Sequence, residues 1–180
     1  MFSSTCAKRY KGKRRRLVLV ECKPDALLVK MAMERLGFSL PIRHYGGKGR
    51  VVRALVNRHK GSVGIIDKDP GSAQPKQLSK FVVVREEAVS GLKVLIQRQT
   101  GSYIIALIPR LEDWILKAAR EAEAALSTYG LPRDPVLLHS TLNLNLGKLE
   151  RLLKDILDSP KGRIAVLLEV LREVLGPHDQ

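Results

Sequence analysis

Two short, unbroken apolar runs, each ending in acid, narrow the folds open to this chain more than anything else in it. Leu17-Val18-Leu19-Val20 stops at Glu21, and Val63-Gly64-Ile65-Ile66 stops at Asp67-Lys68-Asp69-Pro70-Gly71. Such runs are too short for a helix, and without polar alternation they describe strands covered on both faces, as in a parallel sheet. Between them the pattern changes period. Pro24 fits the first turn of a helix whose apolar stripe runs through Ala26, Leu27, Val29, Met31, Ala32, Met33 and Leu36 and closes at Gly37. Around Ile42 the chain extends again, and Tyr45-Gly46-Gly47-Lys48-Gly49 turns it into a second helix carrying Val51, Val52, Leu55 and Val56.

Strand and helix alternating at this spacing predict right-handed βαβ crossovers and a largely parallel sheet flanked by helices, an α/β fold. Further strands are expected at Phe81–Val84, Leu92–Ile96 and Tyr103–Ile108, the last two as a hairpin. From Leu111 the period becomes helical, with Trp114, Ile115, Ala118, Ala119, Ala122 and Leu126 on one face until Gly130-Leu131-Pro132. Helical patterns follow around 146–157 and 161–175, separated by Pro160. The expected organisation is a flexible basic arm over 1–16, an α/β domain over 17–110, and a C-terminal helical extension over 111–180 packed on that domain.

Charge enters the argument through its distribution. The chain carries a net charge of +14 over 180 residues, and its first 60 residues hold 16 Lys and Arg against Glu21, Asp25 and Glu34. An excess of this kind beside a phosphate polymer gives affinity by releasing condensed counterions, so nucleic acid is the expected partner. A solubilising surface is the plain alternative. Cys6 and Cys22 form no CxxC pair, and the four histidines have no zinc spacing. No apolar run reaches the roughly 20 residues of a membrane span, and a soluble, cytoplasmic protein without a membrane partner is expected.

In open parallel sheets, functional groups gather at the carboxyl ends of strands. If the two acid-ended strands are neighbours, Glu21, Asp67 and Asp69 converge there. Asp67 and Asp69, two apart in extended chain, point to the same side. Carboxylate oxygens are what Mg²⁺ prefers, completed by water and substrate phosphate, and Mn²⁺ is the alternative ion. Two such ions about 3.5–4 Å apart suit in-line phosphoryl displacement. The competing reading makes Asp67 and Asp69 turn caps before Pro70-Gly71.

These two segments resemble the motifs of the TOPRIM (topoisomerase-primase) family: an apolar strand ending in Glu with a helix start carrying Asp, here through Asp25 and Ala26, and about 45 residues on an apolar strand ending in DxD. The resemblance covers roughly residues 16–110 and implies a Rossmann-like sheet and Mg²⁺-dependent chemistry on nucleic-acid phosphodiesters. It makes Glu21 an acid/base or a ligand of a labile metal, and Asp67 and Asp69 metal ligands. Asp25 caps or orients. Where the family usually has Gly after the Glu, this chain has Cys22, so the turn there lacks a residue free to adopt positive φ. The small nucleases of the family often add an acidic residue on a helix after the sheet, which makes Glu112 a candidate fourth metal-site carboxylate. Glu112 and Asp113 are equally accounted for by the helix dipole.

The glycine-rich turn into the second helix can present N–H groups to phosphate, with Lys48 and Arg50 as contacts, and Arg14, Arg15 and Arg16 extend that set. A plain strand-to-helix turn would look the same. Trp114 reads as core, Lys68 as neutralising the acidic site or facing solvent. His44, His59 and His139 receive no chemistry. The function these readings favour is a Mg²⁺-dependent nuclease of the TOPRIM type acting on DNA or RNA. A non-catalytic nucleic-acid-binding or scaffold protein is the alternative, and the apolar C-terminal helices offer a surface for a homo-oligomer. With no zinc motif and no polymerase-sized segment, the sequence speaks against primase, and with no cleavage-gate domain around its tyrosines, against topoisomerase.

Overall fold

The computed structural model describes residues 16–176, so Arg14, Arg15 and nearly all of the expected arm lie outside it. In chain order the elements are β1 (Val18–Val20), α1 (Lys23–Leu36), β2 (Ile42–His44), α2 (Lys48–Asn57), β3 (Val63–Asp67), β4 (Val82–Glu87), β5 (Leu92–Gln97), β6 (Ser102–Leu107), α3 (Leu111–Glu121), α4 (Pro135–Leu144), α5 (Leu146–Asp158) and α6 (Gly162–Leu175). Short 3-10 turns occupy Lys76–Lys80 and Leu126–Tyr129.

The strands form a single mixed sheet in the order β2-β1-β3-β6-β5-β4. β2, β1, β3 and β6 run parallel, and the β4–β5 and β5–β6 pairs are antiparallel. The parallel half follows from the helical crossovers α1 and α2. The antiparallel half follows from short turns, the one at Gln97–Ser102 closing the expected β5–β6 hairpin.

Each face of the sheet has its own core. Val18, Val20, Val63, Ile65, Leu92, Val94, Ile105 and Leu107 face α1 and the helices α3 to α6, so the C-terminal helices build one wall of the main core. Leu17, Leu19, Ile66, Leu95, Ile104 and Ala106 face α2 and Phe81 on the other side. Gly64 sets how closely α2 lies on that face. A Cβ there would meet Leu55 Cδ1 at 2.7 Å and Val51 Cγ1 at 2.9 Å, so the sheet and helix meet at a distance that only glycine permits.

Two readings need correction. The helix from Leu111 stops at Glu121 rather than running to Leu126, because Glu123 takes a φ of +57°, outside the right-handed helix, and Leu126 belongs to the following 3-10 turn. The sequence reading also leaves out α4. Its signals were local: Asp134 accepts the N–H groups of Val136 and Leu137 at 2.9 Å each, and Pro135 opens the first turn.

Trp114 is fully buried, its indole N–H donates to Ser90 O at 2.8 Å, and the Arg163 guanidinium lies 5.7 Å above the ring. Arg163, itself 4% exposed, also donates to both Glu121 carboxylate oxygens and so fixes α6 to the end of α3. No helix among the described residues is long and apolar enough to cross a membrane.

Candidate active site

β1 and β3 are adjacent and parallel, with Val20 opposite Ile65. Glu21 and Asp67 therefore leave the same edge of the sheet, and the Asp67 N–H donates to Glu21 Oε1 at 2.6 Å. The chain then brings three helix beginnings to this edge. Gly46 and Gly47, at φ +71° and +147°, reverse the chain after β2. The Gly46 N–H donates to Glu21 O at 3.0 Å, and the start of α2 at Lys48 acts on the Glu21 carboxylate to favour its charged form. The start of α3 at Leu111 acts on the Asp67 carboxylate, its backbone lowering the proton affinity that burial raises. At the start of α1, the Cys22 N–H and Sγ–H both donate to Asp25 Oδ2, at 3.0 and 2.9 Å. Cys22 reaches this geometry with ordinary extended φ and ψ of −138° and 173°, so the absence of glycine after Glu21 does not disturb the turn. Each acid thus sits at the positive end of a helix.

Those helix ends do not offset the crowding of negative charge. Burial, then the charges of Asp25, Glu21 and Glu112, push the Asp67 carboxyl up to about 8. Burial is the main cause of a rise to about 6 at Asp25, to which Glu21 and Glu112 add, although the bonds from Cys22 work the other way. Glu21 is also raised by burial, against the opposing pull of the Asp67 N–H and of Lys48. Burial, with Asp25 beside it, pushes the Cys22 thiol up, so it serves as a proton donor in the Asp25 hydrogen bond. A cation among these groups would reverse the penalty.

Glu21, Asp25, Asp67, Asp69 and Glu112 all line one cleft of about 290 Å³. Glu112 is only 6% exposed, and His139 Nδ1 meets its Oε1 at 2.5 Å. The other ring nitrogen of His139 pairs with the Asn143 amide at 3.0 Å, so α4 holds the ring over the mouth of the cleft. Two cationic side chains also line it: Lys48, whose Nζ donates to Ser72 Oγ at 2.5 Å, and Arg110, whose Nε donates to Asp113 at 2.7 Å.

Not every expected residue takes the expected place. Asp69 lines the cleft, but its Oδ1 accepts the Gly71 N–H at 2.9 Å, the turn-cap geometry. Lys68 lies on the opposite side of the strand beside Lys93 and Glu86, away from the acids, as alternation requires. Arg50 is exposed and its guanidinium lies back over Gly46 rather than in the cleft. Arg16, expected as a phosphate contact, lies at the opposite end of β1 from the cleft and donates to Gly61 O at 3.0 Å, Val174 O at 2.6 Å and Leu175 O at 3.3 Å. Arg14 and Arg15 lie outside the described residues.

Sequence reasoning missed Arg110, Ser72 and His139. None belongs to a motif, and the position of His139 depends on α4. Arg110 had one signal, its place directly before the acids Glu112 and Asp113 at a helix start.

Among the described residues no three His, Cys, Asp or Glu side chains stand close enough to cage a metal ion unaided. The donors are hard oxygens, however, and Oδ1 of Asp67 is buried without a hydrogen-bond partner. Mg²⁺ usually takes one or two protein carboxylates and keeps water or substrate phosphate as its other ligands. These residues therefore fit an ion bound jointly with substrate. Comparison of the chain with protein-family models, with curated proteins and with solved structures found no match to any of them.

Proposed function

We propose that this chain is a Mg²⁺- or Mn²⁺-dependent phosphodiesterase of the TOPRIM type acting on nucleic acid. The observation that supports this best is the convergence of Glu21, Asp67 and Glu112 on one cleft, where burial and mutual repulsion raise the proton affinity of Asp67. Perturbed carboxylates grouped in a cleft are the usual mark of a functional site.

Asp67 and Glu112 would hold the ion, which when bound supplies positive charge to the phosphodiester oxygens. The remaining roles belong to the chain. Lys48 and Arg110 bind and orient the phosphate from the two sides of the cleft, and the helix starts at α2 and α3 direct N–H groups toward it. Glu21, held by the Asp67 N–H, accepts the proton of the attacking water. His139 stands at the mouth, fixed to Glu112, and limits which substrate backbones reach the acids.

The test separates catalysis from binding. Glu21→Gln keeps a carbonyl oxygen for the Asp67 N–H but cannot accept a proton, so metal-dependent cleavage of labelled DNA or RNA should fall by about 10²–10⁴-fold. Melting temperature and nucleic-acid affinity should stay near wild type. A wild-type protein that cuts neither DNA nor RNA with Mg²⁺ or Mn²⁺, yet binds either, would assign it to the second reading. That reading is a binding module, supported by the 16 Lys and Arg in the first 60 residues.

A further inference from the structure

From Pro135 to Gly147 the chain carries no Asp, Glu, Lys or Arg, in a protein whose net charge is +14. α4 occupies most of that stretch and is apolar on two faces. Leu138 and Leu142 are buried in the main core. His139 and Asn143, one turn apart, pair with each other on the side toward the cleft. At about 3.6 residues per turn, the remaining face presents Val136, Leu137, Ser140, Thr141 and Leu144. Val136, Leu137 and Leu144 are 63%, 60% and 89% exposed, and a helix apolar on both sides belongs between two partners rather than at a surface.

The hydroxyls on this face are already occupied. Ser140 Oγ donates to Val136 O at 3.4 Å and Thr141 Oγ1 to Leu137 O at 2.8 Å, so neither brings an unpaired donor to a covering surface. The exposed valines Val82, Val83 and Val84 on the edge strand β4 are a different case. They adjoin Arg85, Glu86 and Glu87, and the register shifts between Val83 and Arg85, an irregularity of the kind that blunts a sheet edge against pairing.

We propose that the exposed face of α4 is the two-fold interface of a homodimer, in which α4 packs antiparallel against α4 of a second copy of this chain. Leu137 and Leu144 stand at equal distances along the helix from the midpoint between Ser140 and Thr141. A two-fold axis through that midpoint sets Leu137 against Leu144 of the partner subunit, twice over, with the small Ser140 and Thr141 at the crossing where the backbones approach. Charge also selects a second copy. Two chains of net charge +14 repel over most of their surfaces, whereas this face brings no charge to the contact. Because His139 and Asn143 border it, the paired helices would stand beside the mouths of both clefts.

Sedimentation equilibrium of the full chain should show a monomer–dimer equilibrium that tightens between about 0.1 and 0.5 M NaCl, as the repulsion is screened. Nucleic-acid binding should respond to salt in the opposite sense. Leu137→Glu and Leu144→Lys should each weaken self-association by about a hundredfold or more, since each sets a charge against a leucine at two places in the dimer. Both side chains are exposed, so the helical circular dichroism should stay that of wild type. Mixed in equal amounts, the two variants should recover the dimer, because the mixed pair keeps one Leu137–Leu144 contact and sets the introduced carboxylate against the introduced ammonium at the other. A wild type that stays monomeric up to about 1 mM in either salt would overturn the proposal, as would a dimer that neither substitution weakens. A mixture no more dimeric than either variant alone would reject the antiparallel register. On dilution of wild type, the methyl resonances of Val136, Leu137 and Leu144 should move while those of Val82, Val83 and Val84 stay in place, and the reverse would assign the contact to β4 instead.

Discussion

In the proposed function, Asp67 is where a cation's need for charge and the stability of the metal-free fold would pull against each other. In the folded chain its carboxyl is pushed from an ordinary 3.8 up to about 8, first by burial and then by Asp25, Glu21 and Glu112. The native state thus binds this proton more tightly than the unfolded chain does. The resulting stability is fully present below about pH 4 and is lost as pH rises through 8. Asp25, pushed up to about 6, acts in the same direction over a lower range. Metal-free wild type should therefore melt at progressively lower temperature between pH 5 and 9, and millimolar Mg²⁺ or Mn²⁺ at pH 8 should restore much of the loss. Asp67→Asn removes the charge but keeps the shape, and should stabilise the metal-free protein at pH 8 by about 1–2 kcal/mol. Melting curves with and without metal check both statements. A variant less stable than wild type at pH 8 would show that the Asp67 charge does not strain the folded chain.

At the scale of elements, the acids depend on helices beginning at the right depth. The close approach of α2 to β3 over Gly64 brings the start of α2 to Glu21. Gly64→Ala would push Val51 and Leu55 outward and should cost about 1–3 kcal/mol. Because the shift carries the start of α2 away from Glu21, cleavage should fall further than the loss of folded protein explains, as measured on the fraction folded at 25 °C. The strand runs were legible for the same reason that Gly64 matters, since β1 and β3 are buried on both faces and need apolar residues throughout. The glycine turn into α2 and the acidic start of α3 were legible as well. α4 was not. Val136, Leu137 and Leu144 are exposed apolar residues that blur its helical period, and its buried face rests on Leu138 and Leu142 alone. Losing α4 from the reading meant losing His139. Capping by Asp25 and a turn cap at Asp69 were both among the sequence readings, and only the structure tells which carboxylate oxygen takes each bond.

At the scale of the whole molecule, the basic amino-terminal segment divides at Arg16. Lys8, Arg9, Lys11, Lys13, Arg14 and Arg15 precede it, whereas Arg16 joins the start of β1 to Gly61 and to the end of α6. The bonds to Val174 and Leu175 satisfy carbonyls in the last turn of α6, which no later turn of the helix can reach. Charge in the segment and charge in the tether should therefore separate by experiment. Removing residues 1–15 should leave the melting temperature near that of the full chain. It should weaken nucleic-acid binding and reduce the slope of log affinity against log salt by about 0.9 for each duplex-DNA phosphate that the shortened chain no longer neutralises. Arg16→Ala should do the reverse, lowering stability by about 1–3 kcal/mol through unpaired carbonyls while changing the salt slope by about 0.9 or less. An unchanged salt slope after removal of residues 1–15 would place the polyanion-binding surface on the folded part of the chain. There Lys48 and Arg110 line the cleft and Arg50 and Arg53 lie exposed on α2.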